Sequence, residues 1–309
     1  MTGAEFEIHR RFSRKREYDI AFSKDRLCHV VYVDDDYANL GLFLNGLLCS
    51  GSVFEVIVVV EKGKADIDSL STTYPDFAFL ELNGKPMRAD AIDAACRFML
   101  SRFFFFIDVS MLPLSMNFND ILRIFSSYKD PLVVTPVFVM DDRSYYPNIR
   151  VPDVKYMSIT CNQLHPFYRL QDTFYPLSFI GIYDRLKYDR IGGFDLKIRD
   201  DHYQLLEFAA RLWLSGFSAI CCKDFALHCL DPDSLMEHIN VNRYKDAVNF
   251  RIQYLYKRAN DKANIKILYF LFRAVDDSFK DSAFEDRYFM MSFKTLLKRW
   301  RIGEIEEVL

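Results

Sequence analysis

The sequence predicts an α/β fold: a doubly wound, mostly parallel sheet flanked by helices, with a helical appendage at the C-terminal end. Two observations carry that expectation. From His29 onward, short apolar runs alternate with stretches of helical spacing, the pattern of repeated strand–helix units. The second is residues 102–110, where Phe103-Phe104-Phe105-Phe106-Ile107 stops abruptly at Asp108-Val109-Ser110. A short apolar run with polar ends reads as a strand buried on both faces of a parallel sheet. Ligands of open α/β sheets bind outside the carboxyl ends of the strands, so Asp108 stands at the mouth of the central one. The plain alternative is that Asp108 caps the helix that follows.

Taken in order, residues 1–26 form a charged arm in which Arg10, Arg11, Arg14, Lys15 and Arg16 crowd together. A solvated helix face is the simple reading of that cluster, and contact with anionic lipid or an acidic partner is the other. His29 to Val33 is a strand followed by Asp34-Asp35-Asp36. Residues 40–49 then read as a helix with Leu40, Phe43, Leu44, Leu47 and Leu48 on one face, ended by Gly51. Phe54 to Val60 is a second strand that delivers Glu61, and Phe77 to Leu80 a third. Residues 87–101 form the helix that leads into the aromatic strand.

Beyond Asp108 the pattern gives a helix at about 117–127 and a strand from Leu132 to Val139. Residues 140–176 show no regular period and suit a functional loop. Ser178 to Tyr183 resumes as strand, Gly192-Gly193-Phe194-Asp195 makes a turn, a helix runs through Trp213, and Phe217 to Cys222 closes the sheet. Residues 27–231 are thus one domain. Residues 232–309 are helical, with Leu268, Leu271, Phe272 and Val275 on one face and a basic amphipathic end around Lys298, Arg299 and Arg301.

The bulk numbers exclude several classes. With 309 residues, 50% hydrophobic and 16% aromatic, the chain can bury a sizeable core. A net charge of −3 argues against nucleic acid as a partner, which needs a basic field. No apolar run approaches the ~20 residues of a membrane span, and the N-terminus lacks the apolar stretch of a signal peptide. The seven cysteines have neither metal nor disulfide spacing and read as reduced thiols, so a cytoplasmic location is expected, with peripheral contact at the inner membrane face through the basic segments as an option.

Three features now fall in order: strands ending in acids at Asp34 and Glu61; the aromatic strand ending Asp108-Val109-Ser110; and Gly192-Gly193-Phe194-Asp195, followed by Asp200-Asp201, Arg211-Leu212-Trp213, Gly216-Phe217 and His228. Over roughly residues 28–230 this order resembles the family 2 glycosyltransferases of the GT-A fold. The resemblance implies a sugar transferred from a nucleotide-diphosphate donor, UDP-type favoured, to an acceptor hydroxyl on a glycan, lipid or protein, with inversion. It implies that Asp34, Glu61 and Asp108 meet the nucleotide, and that Gly192, Gly193 and Asp195 lie by the sugar and acceptor. It further implies that Asp108, Ser110 and His228 hold a divalent cation, Mn or Mg, and that the Asp200/Asp201 pair supplies the base, Asp201 first. Plainer roles stand beside these: an exposed strand-end Glu61, a structural His228, and a tight backbone turn at the two glycines.

The chemistry suits two carboxylate stations. A diphosphate leaving group gathers charge that a cation on hard oxygens can neutralise. A base near the acceptor hydroxyl removes its proton. Two departures mark this chain: Ser110 stands where the family pattern has its second acid, and counting back from Arg211 puts the expected base near Gln204 or Leu205, a turn beyond Asp201. Glu207, the other acid of this helix, has a simple partner in Arg211 four residues on. A catalytically silent relative that binds a nucleotide sugar or a protein partner is therefore the alternative. A nucleotidyltransferase is disfavoured, because no glycine-rich phosphate loop follows the first strand.

Overall fold

The computed structural model describes residues 6–9, 26–49, 55–155, 158–235, 248 and 300. The basic cluster at 10–16, Gly51, Phe54 and the expected helices beyond residue 235 lie outside the described residues. In chain order the elements are β1 (Phe6–His9), β2 (Leu27–Tyr32), α1 (Leu40–Cys49), β3 (Glu55–Glu61), α2 (Ile67–Thr73), β4 (Ala78–Leu82), α3 (Arg88–Cys96), β5 (Phe103–Asp108), β6 (Met111–Ser115), α4 (Phe118–Ser127) and β7 (Pro131–Val139). A hairpin of β8 (Ile149–Lys155) and β9 (Ser158–Leu164) follows, then β10 (Leu170–Asp172), β11 (Gly181–Asp184), α5 (Arg185–Ile191), α6 (Asp201–Leu214) and β12 (Ser218–Cys229).

One mixed sheet runs in the order β1-β4-β3-β2-β5-β11-β7-β12-β10, with β6 also paired to β12. Strands β4, β3, β2 and β5 are mutually parallel, and β12 is parallel to β7, whereas β11 runs antiparallel to both β5 and β7. The chain winds outward from β2 through β3 to β4, then returns to place β5 on the other side of β2. That reversal between β2 and β5 is the switch point at which open α/β sheets open a crevice.

The aromatic strand explains why helices cover both faces. Successive side chains of a strand point to opposite faces. Phe104 and Phe106 join Val30, Tyr32, the α3 alanines and most of α6 in one buried cluster. Phe103, Phe105 and Ile107 join Leu40, Phe43, Leu44 and Leu47 of α1 and Ile121 and Phe125 of α4 in the other. Leu48, expected on the same helix face, is exposed instead. Phe104 stacks on Tyr183 of the neighbouring strand with ring centroids 4.8 Å apart and planes 4° from parallel. Among the described residues of the C-terminal region, Leu235 is buried in the second cluster. Val248 is buried in the first cluster, and the Trp300 ring stands edge-on to Trp213 and Phe174.

Several boundaries differ from the sequence expectation for identifiable reasons. Residues 140–176 are not one irregular loop, since they carry the β8–β9 hairpin and β10. α3 stops at Cys96 rather than near 101, because the buried Glu55 carboxylate takes the N–H groups of Leu100 and Ser101 and holds that segment off the helix. β12 continues past Cys222 to Cys229, with a register shift against β7 between Cys221 and Ala226, where the exposed Asp224 interrupts the apolar pattern. The glycine pair ends a helix rather than opening one. Gly192, at φ +81°, is the left-handed cap of α5. At Gly193 (φ +61°) an added Cβ would lie 2.9 Å from the Tyr188 hydroxyl oxygen.

Candidate active site

Asp34 and Asp108 come together because β2 and β5 are parallel neighbours in register, Tyr32 opposite Asp108. Apart from His29, apolar and aromatic side chains fill both strands up to that level, so the carboxylates at their ends share the mouth of the crevice. No helix follows Asp108, which removes the helix-cap reading. Its Oδ1 accepts the Ser110 backbone N–H (2.9 Å) and hydroxyl (2.8 Å), tightening the turn into β6. Its Oδ2 is buried and accepts no hydrogen bond from any described residue. Burial pushes the Asp108 pKa up, against the pull of the Ser110 hydrogen bonds and of Arg88.

Arg88, which the sequence reading passed over, is the centre of the cluster. It is the first residue of α3, and its guanidinium reaches three carboxylates from three elements. Nη1 donates to Asp201 Oδ2 at 2.9 Å, while Nη2 lies 3.8 Å from both Asp34 Oδ2 and Asp108 Oδ2. The guanidinium lies over the Tyr32 ring, its carbon 5.6 Å from the ring centroid. Burial would lower the Arg88 pKa, but the carboxylates of Asp201 and Asp108 outweigh it and hold the cation charged. Beside it Lys85 bridges Asp34 (2.8 Å) and Asp35 (2.7 Å) at the solvent edge.

Asp201 and Asp200 open α6 and divide the work of its first turn. Asp200 caps the helix, its Oδ1 accepting the Tyr203 N–H at 3.0 Å. Asp201 faces the cluster. One of its oxygens takes the Arg88 hydrogen bond, and the other, Oδ1, accepts none from the described residues. Burial raises its pKa, opposed by Arg88. A second clamp holds the two helix starts together, since Arg199 donates to both oxygens of Asp90 at 2.8 Å. Glu207 takes the structural role expected of it. Arg211 donates Nε and Nη2 to its two oxygens at 2.7 and 2.6 Å, and Nη1 to the Ile191 carbonyl. Gln204 is buried, and its Nε2 donates to the Asp195 carbonyl.

The remaining expected site residues lie at the rim or serve the backbone. Glu61 ends β3, one strand beyond Asp34, and its N–H donates to the Tyr37 hydroxyl at 3.0 Å. Burial first, then the charges of Glu61, Asp35 and Asp34, raise the Tyr37 pKa, so this phenol sits among the strand-end acids. Asp195 accepts the Lys197 N–H and turns the loop between α5 and α6. His228 on β12 pairs with Leu112 of β6, close in the chain to Ser110, and the Leu230 N–H donates to the Ser110 carbonyl. Its imidazole Nε2 is engaged by Asp141 at 2.9 Å.

Comparison with known proteins gives the fold. TM-score 0.58 relates the chain to GalNAc-T7, solved with UDP, GalNAc and Mn2+, at 9% identity over 89% of this chain. The chain has the GT-A glycosyltransferase fold. It spans 57% of the length of that GalNAc-T7 chain. TarS of S. aureus is a more distant likeness, at TM-score 0.46 and 13% identity over 77% of this chain and 44% of that one. No family model matches the sequence, and no curated protein does. Among the described residues of this GT-A domain, no helix is long and apolar enough to cross a membrane.

The donor set does not fit a divalent ion as it stands. Hard oxygens suit Mn or Mg, but among the described residues no three His, Cys, Asp or Glu side chains gather as a cation shell. One Asp108 oxygen is taken by Ser110, His228 is turned to Asp141, and the cation facing the free Asp108 oxygen is Arg88.

Proposed function

We propose that the chain is a glycosyltransferase that moves a sugar from a nucleoside-diphosphate donor, UDP-type, to an acceptor hydroxyl. The observation that carries the reading is the convergence of Asp34, Asp108 and Asp201 on Arg88 at the β2–β5 switch point, on a GT-A sheet. The UDP and GalNAc that accompany GalNAc-T7 set the donor class to try first. In this reading Asp34, with Glu61 and Tyr37 beyond it, meets the nucleoside. The diphosphate lies over Asp108 and Arg88, and the sugar points toward the segment 192–201.

The acceptor hydroxyl oxygen attacks the anomeric carbon as the bond to the diphosphate oxygen breaks. The diphosphate leaves with that electron pair, and the proton goes to the uncommitted Oδ1 of Asp201. Burial raises the proton affinity of that carboxylate, as a base working near neutral pH requires. Attack from the face opposite the leaving group inverts the anomeric centre.

Release of UDP from a panel of UDP-sugars, with simple glycosides as acceptors, tests this reading. Turnover is expected in the parent and a loss of about 10²–10⁴-fold in Asp201→Asn, the contribution typical of a general base. Donor binding should persist in that variant. Turnover unchanged in Asp201→Asn contradicts the assignment of the base. A second reading has its own support, because Ser110 spends its hydroxyl and N–H on Asp108 and the Asp201 carboxylate is tied to Arg88. On that reading the chain binds a nucleotide sugar without transferring it, and binding without turnover of any donor is its signature.

A further inference from the structure

We propose that Arg88 is the resident cation of the crevice, so that a diphosphate is met by its guanidinium rather than by a divalent metal ion. The inference rests on the nucleotide reading for the identity of its ligand, and on geometry for the rest. Its guanidinium stands where the three carboxylates would otherwise face one another. An arginine presents five N–H donors in a fixed fork that suits phosphate oxygens two at a time. Arg88 spends one of them on Asp201. The 3.8 Å separations to Asp34 and Asp108 are ion pairs too long for hydrogen bonds, and Nε is buried with no hydrogen bond to any described residue. Nε and Nη2 form one edge of the fork, the bidentate edge, and both have hydrogens left to give.

The surrounding residues are built to hold that edge in place rather than to consume it. Asp201 grips the opposite corner, the Tyr32 ring lies under the guanidinium, and the buried carboxylate of Asp108 supplies charge at a distance. The Tyr32 hydroxyl is in turn fixed on the Pro86 carbonyl at 2.8 Å, two residues before Arg88. The Asp90–Arg199 pair ties the starts of α3 and α6 together, so Asp201 stays within reach of Arg88. Such a guanidinium excludes a metal ion by simple repulsion while it is there. Removing it would leave three carboxylates without that charge, hard oxygens that would have to close on a divalent ion to hold it.

The test is a Mn2+ titration, followed by electron paramagnetic resonance and by melting temperature, of the full chain and of Arg88→Gln. The parent should bind Mn2+ no tighter than millimolar and show no shift in melting temperature. Arg88→Gln should gain at least tenfold in Mn2+ affinity and melt higher with Mn2+ present, a gain removed by adding Asp108→Asn. Arg88→Met, an uncharged and apolar replacement, serves if the glutamine variant does not fold. Tight, Asp108-dependent Mn2+ binding by the parent overturns the proposal, and so does a folded variant that gains nothing. The second arm is UDP binding in EDTA. The parent should bind, and Arg88→Gln should lose at least tenfold. UDP binding that requires Mn2+ and dies in Asp108→Asn overturns the proposal. Failure of UDP to bind under any condition overturns the nucleotide reading, while the Mn2+ titration judges Arg88 by itself.

Discussion

Two arginines of this molecule make opposite use of the same chemistry. Arg211 lies inside α6, a helix buried on nearly every side, and all its charge is answered locally: two oxygens of Glu207 and the Ile191 carbonyl take three of its donors. Arg88 faces three carboxylates and forms one hydrogen bond with them. The first arrangement is closed and reads as structure. The second leaves Asp108 Oδ2, Asp201 Oδ1 and Arg88 Nε without partners among the described residues, which a fold has no reason to build for stability alone. Uncommitted donors and acceptors at a strand-end crevice are what binding and proton transfer consume.

The largest expected effect lies on the closed side. Arg211→Met strands the Glu207 carboxylate in the core and should cost about 3–5 kcal/mol, read as a fall in the denaturation midpoint. Asp34 and Asp201 are partly solvated, so Arg88→Gln should cost clearly less. Equal losses would erase the distinction between the two arginines.

A smaller effect separates buried ionisable groups that titrate from those that are paired. His29 on β2 packs edge-on to Phe105, and burial alone lowers its pKa from 6.5 to about 4. The unfolded chain therefore binds a proton that the folded one refuses. Stability is full above about pH 6.5 and falls as the pH drops toward 4, by about 3 kcal/mol from this residue. His29→Phe should flatten that acid limb in a stability–pH profile, and an unchanged limb would place the acid sensitivity elsewhere.

Smaller still is Gly193→Ala, which forces a left-handed alanine against Tyr188 and should cost about 1–3 kcal/mol. Because this turn adjoins Ile191, which anchors Arg211, it should lower the melting temperature without touching UDP affinity. A change in affinity would mean that the glycines serve the ligand directly.

How much of this was legible beforehand follows from the range of each interaction. The strand-end acids announce themselves because an apolar run stops on them, and the Glu207–Arg211 pair because its spacing is helical. Arg88 did not, since its meaning depends on Asp201, 113 residues away, and on the approach of two helix starts that no local pattern encodes. The β8–β9 hairpin went unread for a different reason. Pro152 interrupts the alternation of Ile149, Val151 and Val154 with polar neighbours, and a proline in a strand argues against a strand unless it lies at an edge, as in this two-stranded sheet.

The central claim, a nucleotide site at the switch point between β2 and β5, is tested most directly by hydrogen exchange of the unmutated chain with and without saturating UDP. Slowed exchange is expected in residues 33–37, 85–90 and 108–111, with α6 beyond its first turn unchanged. Protection confined to other segments, or none while UDP is bound, would contradict the placement of the site.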